Sequence, residues 1–379
     1  MRRLFLKSVA ASALSSTMTS TLSMALPARS QTPGDAAAFA PAPPAGPVKS
    51  RVNIYDSAPY IECHASTLVE TPAKTILAAW FGGTKERNPD VCIWVARLEN
   101  GRWQPAVQVA DGIQPDGTRQ PTWNPVLFQD HEGDLHLFYK VGPNPQTWWG
   151  MVIRSADDGR TWSKPRRLPD GILGPVKNKP VVLPDGAWLS PSSSEGAEGM
   201  TGDANVGWHL HFERSTDKGQ TWTKTADVPS KVSIEAIQPS VLFHKDGRLQ
   251  AVARTRQGVM GSTWSKDNGL TWSGMAAIDL PNPNSGTDAV TLKDGRQLLV
   301  YNHTAHRPDE PGKGDRWPLN IGLSEDGLHW RNALILEDRP LVSGYAYPAV
   351  IQASDGLVHI TYTVGRRRIR HVVLDPSAL

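Results

Sequence analysis

The chain has 379 residues, a formal net charge of +3, 20% charged residues and only two cysteines. So small a net charge leaves no electrostatic footprint for nucleic acid. No Cys/His cluster has zinc-ligand spacing, and no phosphate-binding glycine loop or lipase-type serine elbow occurs. No metal or cofactor is therefore expected.

Residues 1–30 read as an export signal. Arg2 and Arg3 precede a mildly apolar run of Ala, Ser, Thr, Met and Leu that ends near Leu26. The Arg-Arg-Leu-Phe-Leu-Lys stretch resembles a twin-arginine signal, with Met1 where Ser or Thr is usual. It is too short and polar for a stable membrane anchor. The expected destination is bacterial periplasm or the extracellular space. Residues 31–50, rich in Pro and Ala, read as a linker, and 51–379 as one domain.

Within that domain one phrase recurs. It reads Ser155-Ala-Asp157-Asp-Gly159-Arg-Thr161-Trp162, then Ser215-Thr-Asp217-Lys-Gly219-Gln-Thr221-Trp222. Ser265-Lys-Asp267-Asn-Gly269-Leu-Thr271-Trp272 follows, and then the shorter Ser324-Glu-Asp326-Gly327-Leu-His-Trp330. The Asp accepts backbone N–H bonds, the Gly supplies a left-handed residue, and the Trp is an apolar plug expected to pack under the next unit. Between these copies lie Asp-Gly hairpin signals at Asp185-Gly186, Asp246-Gly247 and Asp294-Gly295, and Asp355-Gly356 follows the last copy. Two hairpins per unit make a four-stranded blade. Counting gives six blades, over roughly residues 65–105, 123–165, 178–225, 235–275, 285–332 and 345–375. Sustained helical periodicity is absent, so the expected fold is an all-β, six-bladed β-propeller.

Some side chains remain open at this stage. Cys63 and Cys92 could pair in an oxidising compartment or stay as buried thiols. Arg366, Arg367, Arg368 and Arg370 read as the exposed face of the closing strand rather than a nucleic-acid patch. Trp148 and Trp149 could stack on a sugar or plug the space between blades.

The repeated phrase resembles the Asp-box of the sialidase superfamily, and the chain from about residue 55 onward is similar to sialidase-like BNR-repeat proteins. That resemblance implies a six-bladed ring, an arginine triad gripping a substrate carboxylate, a Tyr nucleophile with a Glu partner, and an Asp acid/base. Arg254 and Arg316 match two of the arginines, Tyr347 the nucleophile and Asp90 the acid/base. Two positions depart from the pattern. His64 stands where the first arginine belongs, and Gln238 where the Glu belongs, with Glu235 three residues earlier as its replacement. Lys177, Asn178 and Asp288, in polar phrases next to strands, are further candidates for substrate contact.

The resulting expectation is an exo-acting glycoside hydrolase that removes a terminal acidic sugar from a glycan, with retention, through Tyr347. A polysaccharide lyase acting on a uronic acid, with His64 and a Tyr as base and acid, is the alternative, and a non-catalytic glycan-binding propeller is another. The expected partner is an acidic glycan, with no nucleic acid and no membrane anchor once the signal is removed, and the chain is expected to be a monomer.

Overall fold

The structure, a computed structural model, describes residues 39–196, 207–230, 234–310 and 312–379. The export signal and the first part of the linker lie outside them. The described residues form six antiparallel sheets, numbered here as blades I to VI, in which successive strands lie side by side. The innermost strands are Glu62–Glu70, Thr122–Gln129, Val181–Val182, Ala236–Phe243, Asp288–Thr291 and Tyr345–Gln352. Blade I gains a fifth short strand, Val107–Ala110, paired with Cys92–Glu99. Blade VI takes its outermost strand from the start of the domain: Val48–Asn53 pairs with Arg368–Leu374 and closes the ring. That strand begins inside the stretch read as linker.

Apolar runs such as Ile76–Gly83, buried at every position, become second strands because neighbouring blades cover both of their faces. The inner-to-second-strand turns and the box turns fall at one end of the ring. Blade-to-blade connections and the loops between second and third strands fall at the other.

The boxes are self-contained turns. Ser215 Oγ accepts the Gly219 N–H at 2.8 Å and donates to Asp217 Oδ1 at 2.9 Å. Asp217 Oδ1 also accepts the Thr221 N–H at 2.8 Å, and Oδ2 accepts the Thr221 hydroxyl at 2.5 Å. These bonds commit the Asp, and they hold its pKa down to about 2. The Trp packs backward rather than under the next unit. Trp272 of blade IV stacks on Phe212 of blade III at 3.8 Å, and Trp222 of blade III meets Phe138 of blade II at 6.2 Å.

Two further expectations are settled in the interior. Cys63 and Cys92 are both free and buried. Burial pushes the Cys63 thiol up to about 12, and Arg119 donates to Cys92 Sγ at 2.9 Å. Of the basic run only Arg367 is exposed; Arg366 is half-buried, and Arg368 and Arg370 are buried. Arg370 bonds Glu337 at 2.7 Å and Asn53 at 3.1 Å. The reason is the ring closure, since Val48–Asn53 covers the strand that would otherwise be outermost.

Candidate functional site

Four inner strands share one irregularity near their start. A single extra residue interrupts the ladder between His64 and Thr67, Trp123 and Val126, Ile237 and Ser240, and Ala346 and Ala349. The bulged residues Ala65, Asn124, Gln238 and Tyr347 have φ of 55°, 40°, 57° and 51°. In three of the four a proline follows, which suits a point where the ladder needs no N–H donor. Positive φ costs a non-glycine residue free energy, so its recurrence here points to a functional constraint.

Tyr347 is the centre of what these bulges gather. Its ring lies 4.2 Å from that of His64, centroid to centroid. The charged ends of Arg254, Lys177 and Arg316 lie 5.5, 5.8 and 5.9 Å from its centroid. The Gln238 side-chain amide donates to the Tyr347 hydroxyl at 3.4 Å. A side chain at Gly286 would come within 3.0 Å of the ring, so glycine there makes room for it. Six expected residues, His64, Lys177, Gln238, Arg254, Arg316 and Tyr347, thus come together from five blades, at the end of the ring opposite the boxes.

The charges in this cluster are of one sign. Among the described residues neither Arg254 nor Arg316 has a carboxylate partner; Arg254 Nη1 reaches only the Asn284 carbonyl, at 3.3 Å. Burial pulls the Arg316 pKa down, with Tyr347 opposing and Arg254 and Arg366 adding to the effect. Burial pulls Lys177 down to about 7, against the pull of Asp288. Its ammonium donates to Asn178 Oδ1 at 2.8 Å, to the Thr287 carbonyl at 2.7 Å and to the Pro348 carbonyl. Burial, and then the charges of Arg366, Arg316, Arg254 and Lys177, hold His64 well below its ordinary range, so its imidazole is neutral. His64 Nδ1 lies 3.2 Å from the Thr363 hydroxyl.

The other candidates are placed differently. Asn178 braces the floor, donating to the Gln238 carbonyl at 2.9 Å. Asp288 is saturated by donors inside the protein: Lys179 at 2.9 Å, Ser240 at 2.8 Å and the Val350 N–H at 2.8 Å. Of the two lysines that flank Asn178, Lys177 is thus the one beneath Tyr347. Glu235 makes no bond to Tyr347. It accepts the Trp208 N–H at 3.3 Å and faces Arg256 at 3.8 Å. Asp90 is exposed on the loop after Gly83, where its Oδ2 accepts the Thr84 N–H at 2.8 Å and hydroxyl at 2.5 Å. That loop is at the same end of the ring as Tyr347. Trp148 is buried against Trp123 at 5.8 Å, a plug rather than a sugar platform.

Two neighbours were not legible from the sequence. Trp208 packs its ring against the guanidiniums of Arg254, at 5.1 Å, and Arg256, at 4.4 Å. Arg366 sits in the turn beside His64, where its carbonyl accepts the Cys63 N–H at 3.0 Å. The signal for the bulges was present as Asn124-Pro125, Gln238-Pro239 and Tyr347-Pro348, one phrase at one point of three inner strands.

A ring of six blades, four of them closed by an Asp box, with a cationic mouth around one tyrosine defines a sialidase-like propeller. The chain belongs to the BNR repeat-like domain family, whose model matches residues 74–360. Solved structures agree on the fold. A protein of unknown function from Dyadobacter fermentans superposes with a TM-score of 0.68 at 18% identity, over 86% of this chain and 98% of that one. The Hadza microbial sialidase Hz136 gives 0.67 at 20% identity, over 84% of this chain and 66% of that one. The Trypanosoma rangeli sialidase gives 0.67 at 14%, over 87% and 60%. No curated protein sequence matches.

Proposed function

We propose that the protein is a glycoside hydrolase that removes a terminal acidic sugar, with Tyr347 as nucleophile. The observation that supports this most is the unpaired positive charge. Arg254, Arg316 and Lys177 surround one tyrosine with no carboxylate against them among the described residues. Buried charges are costly without a partner, so the mouth is built to receive an anion. Guanidiniums match a carboxylate in planar, bidentate geometry, and a terminal acidic sugar presents one at its ring.

In this reading Tyr347 gives up its phenol proton to water, and its oxygen attacks the anomeric carbon. The bond to the leaving oxygen breaks as Asp90 passes that oxygen a proton. Water then attacks the same carbon, Asp90 takes the proton back, and the bond to Tyr347 breaks, so two displacements retain configuration. A neutral nucleophile precursor suits a centre beside a carboxylate, which would repel an Asp or Glu. Gln238 can donate to the tyrosine oxygen but cannot take its proton, which predicts slower turnover than a Tyr–Glu pair would give.

One observation favours a lyase instead: the 4.2 Å contact of His64 with Tyr347. Its depressed pKa makes His64 a poor general base near neutral pH, so the hydrolase reading stands ahead. Incubation with sialosides, other keto-acid glycosides and uronate polymers, followed by mass spectrometry, separates the two. The hydrolase reading predicts products heavier than the substrate by one water in total. An unsaturated uronate, with no water added, would replace it with the lyase, and binding without turnover would leave a glycan-binding propeller.

A further inference from the structure

We infer that Glu213, buried in blade III, is a positioning residue: it fixes the backbone that leads from blade II into blade III and thereby holds Lys177 and Asn178 beneath Tyr347. What Lys177 does there rests on the acidic-sugar reading above; where it is held does not.

Blade III lacks the bulge that sets mouth residues in blades I, II, IV and VI. Its inner strand is only Val181–Val182. Lys177 and Asn178 precede that strand, on backbone that belongs to no sheet. Such a segment must find partners for its buried polar groups outside a ladder.

Side chains supply most of them. Glu213 Oε1 accepts the Leu173 N–H at 2.8 Å, and Oε2 accepts the Gly174 N–H at 2.6 Å. Lys140 of blade II donates to the Pro175 carbonyl at 2.7 Å. The Val176 N–H goes to the Pro191 carbonyl at 3.2 Å. One carboxylate therefore takes two consecutive N–H groups of the segment, three and four residues before Lys177. The next two side chains then reach the mouth floor. Lys177 donates to the Thr287 carbonyl at 2.7 Å and to the Pro348 carbonyl, and Asn178 to the Gln238 carbonyl at 2.9 Å.

The cost of burial points the same way. Glu213 and Lys140 are both fully buried. Burial pulls Lys140 down to about 7, with the charge of Glu213 opposing. Glu213 also accepts the Ser192 hydroxyl at 3.3 Å, and His211 Nε2 lies 3.4 Å from its Oε1. Buried ionic groups add little net stability, and apolar residues of the same volume would pack there at less cost. A carboxylate kept there, with both oxygens on the segment that carries Lys177, serves the placement of that segment.

NMR titration of the lysine ε-carbons in the full chain tests this without a ligand. Lys177, identified by the signal lost in Lys177→Met, should titrate near 7 in wild type. In Glu213→Gln its midpoint should rise toward 10.5, because a displaced ammonium regains water. Loss of the Glu213 charge alone would move it down, so the sign separates displacement from electrostatics. Asp288, Lys179 and Arg254, whose charges also act on Lys177, are unaltered in the variant. Glu213→Asp keeps the charge but is too short to hold both N–H groups, and it should raise the midpoint too. A midpoint that stays or falls in a folded Glu213→Gln overturns the inference, and Glu213→Asp decides it if Glu213→Gln does not fold. A wild-type Lys177 that titrates near 10.5 overturns it without any variant of Glu213. Calorimetric binding of N-acetylneuraminic acid supplies the second arm. Glu213→Gln should lose affinity by about the factor lost in Lys177→Met, and the double variant should lose no more than Lys177→Met. Additive losses overturn action through Lys177. Wild type that binds no acid removes the acidic-sugar reading and leaves the lysine titration to decide the placement.

Discussion

Lys177 gives the mouth its pH behaviour. Its folded pKa, near 7, lies below the ordinary 10.5 because burial penalises the ammonium. Between those two values the unfolded chain holds the proton that the folded chain has released. Its contribution to stability therefore rises with pH from about 7 to about 10.5. Anion binding runs the other way, since only the charged form attracts a carboxylate. Affinity for an acidic sugar should fall as pH rises through about 7, and Lys177→Met should flatten that part of the profile, measured by titration between pH 5.5 and 8.5. A wild-type profile already flat across neutrality would show that Lys177 is a structural pin alone. Tyr347, Arg254 and Arg316 were legible from their distances to Asp-Gly turns and boxes. Glu235 failed as a partner for Tyr347 because one ring, Trp208, and one cation, Arg256, stand on its side of Arg254. Spacing along a strand records neither.

At the scale of strands and turns, a blade is legible wherever its turns are made of local chemistry. In the first three boxes the Ser, Asp, Gly and Thr bond to one another, so the phrase carries the turn locally. The bulges were harder to read, because a one-residue insertion shows only in register against the second strand. Arg366 was harder still. Its turn has left-handed backbone and the side chain of an arginine, and its ion pair with Glu86 depends on blade I packing next to blade VI. The same junction holds a buried histidine pair. Trp103 Nε1 donates to His371 Nδ1 at 3.3 Å, so the His371 proton sits on Nε2 and points at His359 Nδ1, 3.0 Å away. Burial lowers His359, and lowers His371 from 6.5 to about 3. Their neutral forms stabilise the fold above about 6.5, and this is lost as pH falls toward about 3, because the unfolded chain takes up protons first. The denaturation midpoint should drop between pH 7 and pH 4, and His371→Gln should make that drop shallower. An equal drop in the variant would place the acid sensitivity elsewhere.

For the whole molecule, closure decides which surfaces exist. Val48–Asn53 completes blade VI, buries Arg368 and Arg370, and holds the Gly365-Arg366 turn against blade I. The six-blade count was legible because boxes and Asp-Gly turns recur at near-regular spacing through blades II to VI, which leaves room for one blade before them. The closing strand was not, because it carries no box or Asp-Gly turn and lies some 300 residues from its partner. The ring keeps scaffold and chemistry at opposite ends, with the boxes at one and the cationic mouth at the other. That division is why boxes served as rulers for Arg316, although none of them contributes a side chain to the mouth. The central claim is that this mouth cleaves a terminal acidic sugar through Tyr347, and the most direct test is release of that sugar by wild type and by Tyr347→Phe on one turned-over glycoside. The account predicts that the folded variant loses about a thousandfold or more in kcat, as loss of a nucleophile does, while still binding the free acid. Undiminished release by Tyr347→Phe would contradict it.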